Sequence, residues 1–122
     1  MDGRVRRTVK LARDWTLARF KVEREGKCRV CGGRELLAAA HTAGQKHDRA
    51  RDGTRSGVLV VDPDDIVPLC VDCHTAYDQR RLDLLPHLTN VEAARAVLHL
   101  GLVSAYKRLT SSRDSPDLQA AA

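Results

Sequence analysis

Two short stretches, "CRVC" at 28–31 and "CVDC" at 70–73, constrain this chain more than anything else in it. They use all four of its cysteines, in the spacing C-x2-C-x38-C-x2-C. Each pair bends the backbone so that two thiolates converge, and two such pairs complete a tetrahedron around Zn²⁺. Cys28, Cys31, Cys70 and Cys73 are therefore the expected ligands of a closed, structural zinc site. Four unrelated free thiols would not explain the matched spacing. A chain of 122 residues with one Trp, one Phe and two Tyr has few large side chains for a core. In such small domains a bound metal contributes folding free energy directly.

The rest of the composition narrows the setting. No segment is long and apolar enough to span a membrane. The opening "MDGRVRRTVK" has no apolar run behind its charges, so it does not read as a signal peptide. The expected location is cytoplasmic, where paired cysteines bind metal more often than they form disulfides. Net charge is +5, and it is unevenly spread. Residues 1–34 carry eleven Lys/Arg against four Asp/Glu, whereas residues 62–83 carry six Asp against two Arg. A basic face beside an acidic segment suits a metal-dependent enzyme acting on a polyanion. On charge alone, a solvated helix surface followed by a loop fits as well.

Periodicity outlines a single α+β domain over residues 1–110. Val5, Val9, Ala12, Trp15 or Thr16, and Phe20 predict a helix over 5–25 that stops at Gly26, with Trp15 as a core anchor. "CRVCGG" reads as a tight knuckle. "ELLAAAH" reads as a strand or a short helix, and periodicity does not choose between them. Residues 42–57 are polar, basic and glycine-containing, so they read as a loop. "VLVV" at 58–61 reads as a strand, "DPDD" as a turn, and a helix is expected to start near Cys70 or Val71. "LDLLPHL" is a connector. Thr89 and Glu92 form a capping box opening a helix over 90–109. Its apolar stripe runs through Val91, Ala94, Val97 or Leu98, Leu102, Ala105 and Leu109. Gly101 inside that helix costs about 1 kcal/mol relative to Ala, which marks it as an expected close crossing. Residues 111–122 read as a disordered tail.

His74 directly follows the last cysteine. Adjacent residues on a helix point about 100° apart, so His74 turns away from a zinc that four cysteines already fill. Three other groups invite attention beside it: His41 shortly after the first knuckle, Asp65 five residues before Cys70, and Asp48 in the basic loop. "CRVCGG … AAAHTAG … DPDDIVPLCVDCHTAYD" resembles the HNH nucleases of the ββα-metal type with a zinc-binding frame. The resemblance covers residues 28–78, and the longer pattern is similar to small HNH proteins of actinobacterial phages. It implies a ββα-metal core at 28–80 flanked by an N-terminal and a C-terminal helix. It also implies DNA as substrate, phage terminase or portal components as partners, and a bacterial host cytoplasm.

Carried over residue by residue, the resemblance makes His41 the general base. His74 becomes a ligand of a catalytic Mg²⁺ or Mn²⁺. Asp65 falls where the family usually has Asn. The family commonly has an acidic residue before its first His, and here that position is Ala40. The expectation is that Asp65 supplies the missing carboxylate and shares the cation with His74, with Asp48 as a second candidate. Lys46, Arg49, Arg51 and Arg55 are expected to grip phosphates, and His47 is a further phosphate contact. His87 reads as structural or exposed, and His99 as a partly buried surface residue. Ala40 and the basic N-terminus also fit a zinc-stabilised DNA-binding or packaging adaptor that does not cut. A zinc ribbon mediating protein contacts is a third reading.

Overall fold

The computed structural model describes residues 12–50 and 58–111. Among these the chain is a small α+β arrangement of four helices and two short sheets. Strand β1 (Ala12–Asp14) leads through Trp15 into helix α1 (Thr16–Glu25). The first cysteine knuckle follows, then β2 (Leu37–His41), a 3₁₀ turn at Gln45–His47 and the two-residue β3 (Arg49–Ala50). After the loop come β4 (Val58–Val60), a 3₁₀ turn at Pro63–Asp65, β5 (Ile66–Cys70) and α2 (Val71–Asp78). A 3₁₀ turn at Leu85–His87 leads to α3 (Asn90–Leu100) and α4 (Leu102–Leu109).

The second sheet positions the chemistry. β2 pairs antiparallel with β5, from Leu37 opposite Cys70 to His41 opposite Ile66, and α2 follows β5 without a break. This decides "ELLAAAH" as strand. "IVPL" is a continuous apolar run because all four residues are buried, as a strand covered on both faces requires. Val67 and Leu69 join the larger core cluster with Ala40, Tyr77, Leu84, Ala96, Ala105 and Leu109, while Ile66 packs with Ala18 and Val61.

The N-terminal helix is shorter than its periodicity predicts. It begins at Thr16, because residues 12–14 pair in parallel with Val58–Val60 as a strand; residues 1–11 lie outside the described residues. Its buried face also differs. Phe20 is 61% exposed, whereas Lys21 is buried. The Lys21 ammonium donates to the carbonyls of Pro63 (2.7 Å) and Ile66 (2.9 Å) and to Glu92 Oε2 (2.6 Å). Arg29 donates to the other oxygen of Glu92 (2.7 Å) and to Glu25. Burial pushes the Glu92 carboxyl up, but hydrogen bonds from Arg29 and Lys21 outweigh it and lower its pKa to about 2. A lysine satisfied at all three donors can replace an aromatic in the interior, which hydropathy does not register.

The expected C-terminal helix is two helices. Thr89 and Glu92 form the capping box. Gly101 then takes φ 85° and ψ 160°, which breaks the ladder and redirects α4. The apolar stripe therefore does not stay on one face: Ala105 and Leu109 are buried, but Val91, Ala94, Leu98 and Leu102 are exposed. Residue 111 is described; the rest of the expected tail lies outside the described residues.

Candidate metal centre and active site

The two knuckles bring Cys28, Cys31, Cys70 and Cys73 together, with their four sulfurs all within 4.8 Å of one another. The first knuckle closes on itself: Gly32 N–H donates to the Cys28 carbonyl (3.0 Å) and Cys28 N–H to the Gly33 carbonyl (2.7 Å). Gly32 has φ 78°, a conformation that side chains resist. Gly33 N–H points at Cys31 Sγ (3.4 Å), and a Cβ at Gly33 would lie 3.3 Å from that sulfur. In the second knuckle Cys70 is the N-cap of α2, its sulfur accepting from Cys73 N–H (3.5 Å).

The donor set fits a thiophilic metal such as zinc. Cys31 and Cys70 sulfurs are 3.7 Å apart, and a tetrahedron with metal–sulfur bonds of about 2.3 Å has edges of about 3.75 Å. The thiols also affect one another. Burial raises the Cys28 thiol, but backbone hydrogen bonds from Cys31, Cys70 and Val30 bring its pKa down to about 6. Burial and the neighbouring thiols push Cys73 far up.

A second site lies on the far side of the same strand–helix unit. His41 closes β2 and is 8% exposed. Its Nε2 lies 3.0 and 3.2 Å from the two oxygens of Asp48. The Asp48 side chain is 1% exposed and accepts a hydrogen bond from Arg13 Nε (2.9 Å). A carboxylate only accepts, so Nε2 of His41 must carry the proton and Nδ1 is left as the basic nitrogen. The Trp15 ring meets the imidazole edge-on at 5.5 Å. Thus β1, β2 and the 45–50 segment together hold one imidazole in one tautomer.

His41 borders a hollow of about 330 Å³, shared with Ala39, Gly44, Gln45, His74, Asp78 and Arg108. His74 Nε2 is 3.8 Å from Asp78 Oδ2, one helical turn further along α2. A larger hollow of about 440 Å³ between α1 and β2 has only Arg19 and Glu23 as charged groups and contains neither histidine. Chemistry rather than size therefore selects the smaller one.

The structure places several of the expected site residues apart from one another. Asp65 does not border the His41–His74 hollow. It faces α3, where Arg95 donates to both its oxygens (3.1 and 2.9 Å) and His99 Nε2 lies 3.1 Å away. Burial raises its carboxyl, but Arg95 and then His99 pull it below the usual range. Fully paired there, it fastens the turn before β5, and its own carbonyl accepts from Thr42 N–H (2.9 Å). The carboxylate beside His74 is Asp78. Asp48, the other candidate cation ligand, is engaged by His41 and Arg13. Ala40 is 1% exposed inside the larger core cluster, opposite Val67, so a carboxylate there would have to be buried among apolar groups.

Lys46 and Arg49 are exposed near the mouth of the loop, and Arg51 and Arg55 lie outside the described residues. His99 is 6% exposed through its side chain, and His47 stacks on it at 4.8 Å. Reasoning from sequence missed Arg13, Asp78 and Arg108. Only Asp78 left a signal, standing four residues after His74 on a predicted helix.

Among the described residues the four cysteines are the only group of three or more close metal-ligating side chains. No described helix is long and apolar enough to cross a membrane. No family model, curated protein or solved structure matches this chain.

Proposed function

We propose that this protein is a metal-dependent DNA endonuclease of the HNH type, built on a ββα-metal core that a structural zinc braces. The observation that carries this reading is the Arg13–Asp48–His41 chain, which engages His41 Nε2 while His41 lines a hollow shared with His74 and Asp78. The order of β2, β5 and α2, an antiparallel pair running straight into a helix, is what such a core requires.

In this mechanism His41 Nδ1 accepts a proton from a water molecule. The resulting hydroxide attacks phosphorus in line, and the bond from phosphorus to the 3′ oxygen breaks. Asp48 keeps the imidazole oriented and stabilises the imidazolium that forms, and Arg13 keeps Asp48 in place. His74 and Asp78 are the residues that would hold a divalent cation, with Mg²⁺ or Mn²⁺ suiting a partly open site completed by water and phosphate oxygen. When bound, that cation supplies charge stabilisation for the phosphate and the leaving oxygen. Work beside a phage terminase or portal in the host cytoplasm belongs to the same reading, and rests on resemblance.

A second reading has one observation in its favour. Among the described residues, His74 and Asp78 have no third ligand close by, as in a zinc-stabilised DNA-binding adaptor that does not cut. Incubation with supercoiled plasmid and Mg²⁺ or Mn²⁺ separates the two. The enzyme is expected to nick, and His41→Ala and His74→Ala to abolish nicking. Absence of nicking with every metal, beside a retained salt-dependent mobility shift, would select the adaptor.

A further inference from the structure

Proton transfer and cation binding leave one group in the hollow without a task. Arg108 reaches it from α4, and its contacts differ from those of the other part-buried arginines. Arg13 donates to Asp48, Arg29 to Glu25 and Glu92, and Arg95 to Asp62 and Asp65. Each of those guanidinium groups is neutralised by a carboxylate. Arg108 instead donates through Nε to the carbonyl of Thr42 (2.8 Å), the residue directly after His41. Tyr77 OH donates to the same oxygen (2.9 Å), and the guanidinium carbon lies 5.5 Å from the centre of the Tyr77 ring. Among the described residues its partners are Thr42 and Tyr77 alone.

The consequence is a cation with a set plane. The Nε contact and the ring restrain the guanidinium, while no carboxylate of the described residues forms an ion pair with it. It borders two hollows. One holds His41, His74 and Asp78; the other, of about 100 Å³, is formed with Tyr77, Asp78 and Arg80. A restrained guanidinium fork without a carboxylate is matched by a tetrahedral oxyanion, whose two oxygens it can bind together.

We infer that Arg108 is the phosphodiester clamp of this site, binding the non-bridging oxygens of the phosphate presented to His41. The substrate backbone then crosses α4 and the end of α2, with the smaller hollow taking an adjacent phosphate. This inference rests on the nucleolytic reading for its substrate, but it is tested by binding alone.

The test uses the full chain, a fluorescein-labelled 20-base-pair duplex, and EDTA to prevent cleavage. Anisotropy titrations across a range of KCl give the slope of log K against log salt. Arg108→Met keeps the apolar stem over Tyr77 and removes the charge. It is expected to weaken binding several-fold and to reduce the slope by about 0.9, the contribution of one phosphate contact. Arg108→Lys is expected to keep the slope yet nick at least ten-fold more slowly, because an ammonium cannot span two oxygens. Should Arg108→Met fail to fold, ¹⁵N-arginine labelling of the parent carries the test: the Arg108 side-chain signals must shift when the metal-free duplex is added. An unchanged slope in folded Arg108→Met, or unmoved signals in the parent, would overturn the clamp even if the parent nicks DNA. A parent that never nicks, but shows both the slope change and the shift, would sustain the clamp and remove the hydrolytic reading.

Discussion

The four-cysteine cluster and the His41 hollow meet at adjacent residues, Cys73 and His74, yet they are assembled in different ways. In the cluster each ligand pair spans one turn, and backbone N–H groups from within two or three residues aim at the sulfurs. The hollow combines short-range pairs, His41 with Asp48 and His74 with Asp78, with long-range contacts: Arg13 reaches Asp48 across 35 residues, and Arg108 reaches Thr42 across 66. The cluster needs its two knuckles brought side by side, as the β2–β5 pairing allows, whereas the hollow also needs β1, the 45–50 segment and α4 in place. Loss of the cluster should therefore destroy both sites. Changes in the hollow should leave the cluster and the fold standing.

The sharpest way to break this comparison is to remove the metal. Structural zinc contributes on the order of 10 kcal/mol in small domains, comparable to the entire stability of a typical fold. Cys73→Ser, or a strong chelator, is expected to abolish cooperative thermal unfolding followed by circular dichroism. A melting curve unchanged by either would show that the cysteines hold nothing. Next come the residues to which the proposed function gives proton transfer. Asp48→Asn is expected to slow nicking on the order of 10²-fold or more by releasing the His41 tautomer, while the melting curve stays cooperative. Equal nicking rates would remove Asp48 from the mechanism.

Smaller effects test how the hollow is held by the fold. Glu92→Gln leaves Lys21 and Arg29 without their shared carboxylate and is expected to cost about 3 kcal/mol in chemical denaturation. Because the Glu92 pKa is lowered from 4.5 to about 2, its contribution is present in full above pH 4.5. It is lost as pH falls from there toward 2. The parent should show that acid-side loss, and the glutamine variant should lack this component. Asp65→Asn is expected to cost about 2 kcal/mol through its weakened bonds to Arg95 and His99, with nicking retained. Loss of nicking in a stable Asp65→Asn would return Asp65 to the cation site in place of Asp78. Gly101→Ala has open space for its methyl, so its expected cost is backbone strain alone at φ 85° and ψ 160°, about 2 kcal/mol. A larger loss would mean that the α3–α4 angle itself sets the position of Arg108.

Much of this was legible along the chain. The knuckles, the strand at 58–60, the start of α2, the capping box at Thr89 and the stop at Gly26 all depend on groups within a few residues. What was not legible has a consistent cause. Residues 12–14 look helical until β4 lies beside them. Lys21 looks like solvated surface until two carbonyls and a carboxylate meet it in the interior. Asp65 is expected as the metal carboxylate because it falls at the position where the resembling family usually has Asn, but α3 brings Arg95 and His99 to it.

By itself, then, the sequence determined the cysteine frame and the presence of His41 after its first pair and His74 after its second, because turn geometry and helical spacing are short-range. Only the tertiary structure decided which carboxylate serves which histidine. Ion pairing depends on distance in space, and three aspartates compete for that role. Asp48 was brought to His41, Asp78 stayed beside His74, and Asp65 was engaged by Arg95 before it could reach either.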